Sequence, residues 1–452
     1  MSAPVRAIGL SRLALLLAVG ACAGGGAIRV SDVTPQSIPA LEAARAQRPN
    51  DAATLARLGV AYFKADRFPD ARRALDTAMA RDPRNGIAST YLGMTSEAQG
   101  DFGAARQAYQ NVISSARTKE LREMARRRLQ LVGRHELEYQ ARQALAQEAT
   151  LAQMPPEANT VAVMPFAYSG TNEELRPLSR GFAQLVVTDL AKSRQIRVLE
   201  RDRMQAILDE MRLADSARVD PQAALRSGRL LRAARVVQGS LADQGQNLRV
   251  DAAVVDVASA GVTASAGATD VLNRLFDLEK QLVLSIFGNL GIQLTPAEQA
   301  AINQRPTQNL QAFLAFSRGL EAEDRGDFAG AREAYGEAAG LDPSFRAAAQ
   351  GASNAGDLSI AAQQTTGQVE AVVVQTERSE GSGAGVSEES RREVLREAAA
   401  SVTPTQTVAT EREQSQQQTQ PPPTRDTTAE TTNTEGPRPA TGTVVIVIRR
   451  PR

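Results

Sequence analysis

The chain has 452 residues, enough at roughly 150 per domain for about three domains. Lys and Arg number 52 against 51 Asp and Glu; the net charge of +1 offers no hold on a nucleic acid, and none is expected as a partner. One Cys and one His exclude internal disulfides and leave no ligand set for a Cys- or His-rich metal site.

Residues 1–21 place Arg6 and Arg12 around the start of a short apolar run, Leu13 to Ala21. The run is shorter than the roughly 20 residues of a spanning helix and suits the core of a signal peptide. It ends Val19-Gly20-Ala21-Cys22, which resembles the lipobox of bacterial lipoproteins. That resemblance implies removal of 1–21 and a lipid on Cys22. With Ala23 following, it implies an anchor in the outer membrane, facing the periplasm. An ordinary signal peptide with an incidental Cys is the plainer alternative. Residues 22–50 read as a tether and a leading helix, Ile38 to Gln47.

A repeat follows. Leu58-Gly59, Ala71 and Leu75 return as Leu92-Gly93, Ala105 and Tyr109, each shifted by 34. A third copy lies downstream in Gly319, Gly326-Asp327-Phe328, Ala331, Tyr335, Ala338 and Pro343. The pattern resembles the tetratricopeptide repeat, a helical hairpin of this period. Two copies are placed in 51–152, closed by a long solvating helix from Thr118 to about Ala152. The third is placed in 295–352, after a capping box at Thr295-Pro296-Ala297-Glu298.

Between them the pattern changes. Val161–Phe166 is a continuous apolar run, as in a strand buried on both faces. A helix carrying Phe182, Leu185, Val186 and Leu190 follows, then a strand at Ile196–Leu199 and a helix with Met204, Ile207, Leu208 and Met211. Asp220-Pro221 opens another helix. Val236–Leu241 and Leu248–Val257 form a hairpin across Asp243–Asn247; a strand at Val262–Ala266 precedes a helix from about Val271 to Leu290. The ordered series VAVMPF, TDLAKS, IRVLERDRMQAILDEMRL, VVQGSL and RVDAAVVDVASAGV resembles the curli assembly/transport component family, CsgG, and its TolB amino-terminal-like relatives, over 160–292. The fold class so implied is α+β or α/β: helical tetratricopeptide repeats flanking a mixed-sheet domain. Residues 353–440 are rich in Gln, Thr, Ser, Pro and Glu and are expected to be a disordered low-complexity tail, ending in a β-prone segment within 441–452.

His135 lies in a polar helical stretch and reads as a solvated surface histidine. Arg126-Arg127-Arg128, interleaved with Glu120, Glu123, Glu136 and Glu138, reads as a salt-bridged helix face, with an anionic partner as the lesser reading. No motif for nucleophilic, phosphate or metal chemistry occurs, so no catalytic residue, metal or cofactor is expected. Repeat arrays commonly bind peptides on the face made by their first helices. By resemblance Ala56, Val60, Phe63, Thr90, Met94 and Glu97 would line such a groove; packing against flanking helices is the competing reading. Partners are then the membrane, through Cys22, and periplasmic or outer-membrane proteins, through the repeats. The resemblance also allows a homo-oligomer. The expectation is a non-enzymatic outer-membrane lipoprotein acting as a protein-interaction scaffold in envelope assembly or secretion. The alternative is a subunit of a curli-like export pore. A membrane hairpin needs two strands of about 9–11 residues, and both candidate insertion points, Leu241–Leu248 and after Ala268, are too short for one.

Overall fold

The computed structural model describes residues 29–211, 220–245 and 247–381. The expected signal peptide, the expected lipid site Cys22 and everything beyond Gly381 lie outside the described residues.

Helix α1 (Ile38–Gln47) coincides with the expected leading helix. The first repeat is α2 (Ala52–Lys64) with α3 (Phe68–Arg81), the second α4 (Gly86–Ala98) with α5 (Phe102–Ser115). The turn inside each repeat starts in the left-handed region, where Gly100 has φ 71° and Gly326 of the third copy φ 74°. Asp66 takes the same conformation with φ 55°, one that Asp tolerates better than bulky residues. The next residue caps the helix in two copies: Asp101 accepts from the Ala104 N–H and Asp327 from the Gly330 N–H, each satisfying an orphan donor. In the first copy Arg67 stands there and makes no side-chain cap.

The expected solvating helix is corrected. Helix α6 (Lys119–Ala146), followed by the short α7 (Glu148–Leu151), buries Leu121, Met124, Ala125, Leu131, Val132 and Ala141. Its first half completes the core of the repeats, and Ala141 joins the core of the α/β domain. A 28-residue helix rises about 1.5 Å per residue, roughly 42 Å in all, so it acts as a spine between the two regions.

In the α/β domain, β1 (Glu157–Val163) stops short of the expected Met164–Phe166. Pro165 has no N–H to donate and breaks the ladder, which resumes as β2 (Ala167–Tyr168) on the same neighbour. Helix α8 (Leu178–Leu190), β3 (Arg197–Val198), α9 (Arg201–Glu210) and α10 (Pro221–Leu231) fall where expected. Strands β4 (Ala233–Gln244), β5 (Asn247–Asp256) and β6 (Gly261–Val271) complete a mixed sheet of order β3-β1-β4-β5-β6. Neighbours are parallel among β1, β3 and β4 and antiparallel from β4 to β6. Strands β4 and β6 run further than their apolar residues suggested, while β5 is shifted by a single residue. The β4–β5 ladder closes at Gln244–Asn247, and β5 pairs with β6 as far as Val271, which delays helix α11 to Leu275–Asn289.

The capping box at Thr295 and Glu298 opens α12 (Pro296–Ile302), and the third repeat is α13 (Leu310–Asp324) with α14 (Phe328–Leu341). The boundary expected between 292 and 295 does not separate two cores. Gly181 of α8 lets α13 approach so closely that a Cβ there would meet Phe313 and Ser317. One apolar cluster runs from Phe166 and Phe182 through Phe276 and Phe313 to Phe316, Tyr335 and Phe345.

The disorder expected over 353–440 is corrected for 353–381, while the rest of that tail and the β-prone segment within 441–452 lie outside the described residues. Helix α15 (Arg346–Gln363) and helix α16 (Thr366–Gly381) continue the chain. Ala355, Leu358 and Ala361 are buried by α15, and Val369, Val373 and Val374 by α16. Composition hid this because alanine and valine at helical spacing suffice to bury a narrow stripe beside many polar residues. No helix among the described residues is long and apolar enough to cross a membrane.

Candidate functional site

The expected groove residues sit on α2 and α4, but they do not line an open channel. Ala56, Val60, Thr90 and Met94 are buried and Phe63 is half-buried, its ring edge-on to Tyr91 at 5.5 Å. Val60, Ala56 and Met94 share one apolar cluster with Val369, Val373 and Val374 of α16. The chain's own last described helix thus lies at this face, packed against α6 and the Val30–Asp32 turn and ion-paired to Arg57 and Lys64 of α2. Thr90 donates to the Gly86 carbonyl at 2.7 Å, one turn back on its own helix. Glu97 is a structural group: it accepts from the Tyr109 hydroxyl and pairs with Arg128 of α6 at 3.2 Å. That contact explains Arg128, which belongs to the interior rather than to an anion-binding face. Arg127 reaches Asp357 of α15 at 3.1 Å, and Arg134 lies over the Phe328 ring at 5.2 Å. His135 is half-buried beside the Phe102 ring at 6.5 Å, less solvated than expected.

Polar contacts fasten α16 at several points. Lys64 Nζ is 2.6 Å from Glu370 and donates at 2.8 Å to the Val33 carbonyl. Glu377 accepts from the Val30 N–H at 2.9 Å and lies 3.6 Å from Arg57. Thr376 and Thr118 hydroxyls meet at 2.9 Å. Sequence reasoning missed this occupant; the available signal was Val369, Val372, Val373 and Thr376, a stripe at i, i+3, i+4 and i+7.

A second cluster joins the α/β domain to the third repeat. Asp324, at the end of α13, accepts from Arg180 of α8 at 2.9 Å and from Arg201 of α9. Glu323 lies 3.7 Å from Arg201 and accepts from the Tyr335 hydroxyl at 2.6 Å. Burial raises the Glu323 carboxyl, opposed by the Arg201 charge; desolvation together with Glu323 pushes the Tyr335 hydroxyl well above its ordinary value. Desolvation works against the Arg201 charge, yet Asp324, Asp202 and Glu323 together raise its pKa. Beside this joint, α6, α9, α13 and α15 enclose a cleft of about 770 Å³ lined by residues including Arg134, Asp202, Arg203 and Asp209. A third ionic group is interior to the α/β domain, where Lys280 of α11 pairs with Asp189 of α8 and lies 3.0 Å from Glu279. Among the described residues no group of three or more His, Cys, Asp or Glu side chains is placed to hold a metal ion.

Comparison with known proteins agrees with the CsgG and tetratricopeptide-repeat resemblances. Residues 141–271 match the family model of the curli production assembly/transport component CsgG, and residues 57–118 match the tetratricopeptide repeat. Among solved structures, the selenomethionine form of the LpoB C-terminal domain from Salmonella enterica is similar. It is 10% identical, with 28% of this chain and 93% of that chain covered and a TM-score of 0.21. No curated protein matches.

Proposed function

We propose that this chain, with its CsgG-type domain set between tetratricopeptide repeats, is a non-enzymatic lipoprotein of the outer membrane. It faces the periplasm, is anchored through Cys22, and acts as a protein-interaction scaffold in envelope assembly or secretion. The observation that carries this reading is the joining of its parts. Spine α6 and the Arg180–Asp324–Arg201 cluster hold two repeat regions at a fixed geometry about the sheet domain. Rigid placement of helical repeats supports presentation of partners rather than turnover of a substrate. The repeat match supports protein binding, and the family's printed role in curli assembly and transport supports an envelope setting.

The family match also favours the export-pore reading. Against it, β4 and β5 are joined across residues 245–246 and β5 and β6 across 257–260. Neither connection holds the roughly 20 residues of a membrane hairpin.

Cell fractionation tests the anchor. Cys22→Ser should move the protein from the membrane to the soluble fraction, and an unchanged membrane fraction would refute a lipid anchor. Planar-bilayer recording separates the two roles. The scaffold gives no conductance, and stepwise currents from the lipidated protein would move it to the pore class.

A further inference from the structure

We infer that the concave face of the first repeat array is a helix-binding groove held shut by α16. Its partner is a helix of the same chemistry, a valine-rich stripe with two carboxylates seven residues apart. Glu370 and Glu377 have that spacing, and they meet Lys64 and Arg57, which lie seven residues apart on α2. Two cations and an apolar floor on one face select an acidic amphipathic helix by charge and register together.

Three features make α16 displaceable. It is built from poor helix formers: Gly367 and the β-branched Thr366, Val369, Val372, Val373, Val374 and Thr376. A 16-residue segment of that composition is marginal alone, so its helix depends on the groove. Its fit is also incomplete, because the buried Tyr91 hydroxyl makes no hydrogen bond with α16 in place. Burial, with the nearby Glu370 charge adding to it, opposes ionisation of that hydroxyl, yet Glu370 does not accept from it. A partner that offers an acceptor there satisfies a donor that α16 leaves empty, worth more than a neutral exchange because the group is already desolvated. Finally, α16 is joined to α15 only through Gln364 and Thr365, so it can leave without disturbing the third repeat.

The inference rests on the protein-interaction reading only in assuming that a partner exists. The test uses purified full-length chain in detergent with a fluorescein-labelled synthetic peptide of residues 366–381, so failed membrane anchoring and failed groove opening are read separately. The native chain should bind the peptide weakly. Glu370→Lys with Glu377→Lys sets cations against Lys64 and Arg57, loosens α16 and should raise peptide affinity at least tenfold. Adding Lys64→Glu and Arg57→Glu restores opposite charges within the chain, recloses the groove and should abolish the gain. Equal binding by the native and opened chains, or no binding by an opened chain of native helix content, overturns the inference. A second measurement needs no variant. In hydrogen exchange of the native chain, α16 amides should exchange at least tenfold faster than those of α2 and α4; equal protection overturns it as well.

Discussion

Arg201 and Asp324 are ion-paired in the interior although 123 residues separate them, and Arg180 completes the pair from a second helix. Removing one member of a buried charge cluster leaves the others unpaired and desolvated, which costs about 3–5 kcal/mol. Asp324→Ala should therefore destabilise the protein by roughly that amount and split its calorimetric transition, because the third repeat loses its hold on α8 and α9. Exposed pairs contribute at most about 1 kcal/mol. Arg318→Ala, which removes an exposed pair with Glu337, serves as the contrast and should leave the transition nearly unchanged. An Asp324→Ala protein that melts like the native one would show that the cluster holds nothing together.

The repeat glycines give a prediction whose sign is decided by space. An alanine in a helix interior is about 1 kcal/mol better than glycine on propensity alone. At Gly319, however, the added Cβ would lie 2.4 Å from the buried Tyr335 ring, whose hydroxyl is tied to Glu323. Overpacking of this kind costs about 1–3 kcal/mol, so Gly319→Ala should be destabilising on balance. Gly336 is exposed on α14 with nothing within 4 Å of the same added atom. Gly336→Ala should stabilise by up to about 1 kcal/mol. Melting temperatures of the two variants should shift in opposite directions, and a shared direction would refute the spatial argument.

That contrast also marks what a sequence can carry. The glycine, its large partner sixteen residues on, and the turn ending in Phe all lie within one repeat, so periodicity exposed them. The sheet domain was legible for the same reason, since each strand and helix signals itself through local alternation. The ends of β1 and β6 were not, because Pro165 and the pairing partner β5 set them. The buried joints were the least legible. Arg201 sits in the stretch IRVLERDRMQAILDEMRL of the family resemblance, but its partner Asp324 belongs to the third repeat, and no local pattern links them. The groove failed for a related reason. The residues singled out on α2 and α4 repeat within the array, but the helix that shares their apolar cluster lies some three hundred residues further on.

Glu279 supplies a pH dependence. It is fully buried, and desolvation reinforced by the neighbouring Asp189 pushes its carboxyl up to about 8, opposed by Lys280. Burial raises Asp189 in the same direction, though Lys280 acts against it. The folded protein thus binds more protons than the unfolded chain between the ordinary carboxyl value of 4.5 and about 8. Stability from this group is full below that window and falls as pH rises through it, by on the order of a few kcal/mol. Carboxylates held low act elsewhere: Asp243, at about 2 through the Tyr168 hydroxyl, matters only in acid. The melting temperature should be higher at pH 5.5 than at pH 8.5. Glu279→Gln should flatten that difference, and a slope unchanged by the substitution would assign it to other groups.

Deleting the chain from Thr366 onward tests whether α16 contributes to the fold. Burying Val369, Val373 and Val374 is worth roughly 1.5–3 kcal/mol for each side chain, and deletion also uncovers apolar surface on α2 and α4. The conformational entropy lost on ordering sixteen residues opposes this burial. The net loss should be a few degrees in the melting temperature of the repeat region, with increased binding of a hydrophobic dye to the uncovered face. The α/β domain and the third repeat, whose shared core contains no α16 residue, should melt as they do in the full chain. A truncated chain with an unchanged melting profile and no new dye binding would mean that α16 does not rest on the repeats in solution.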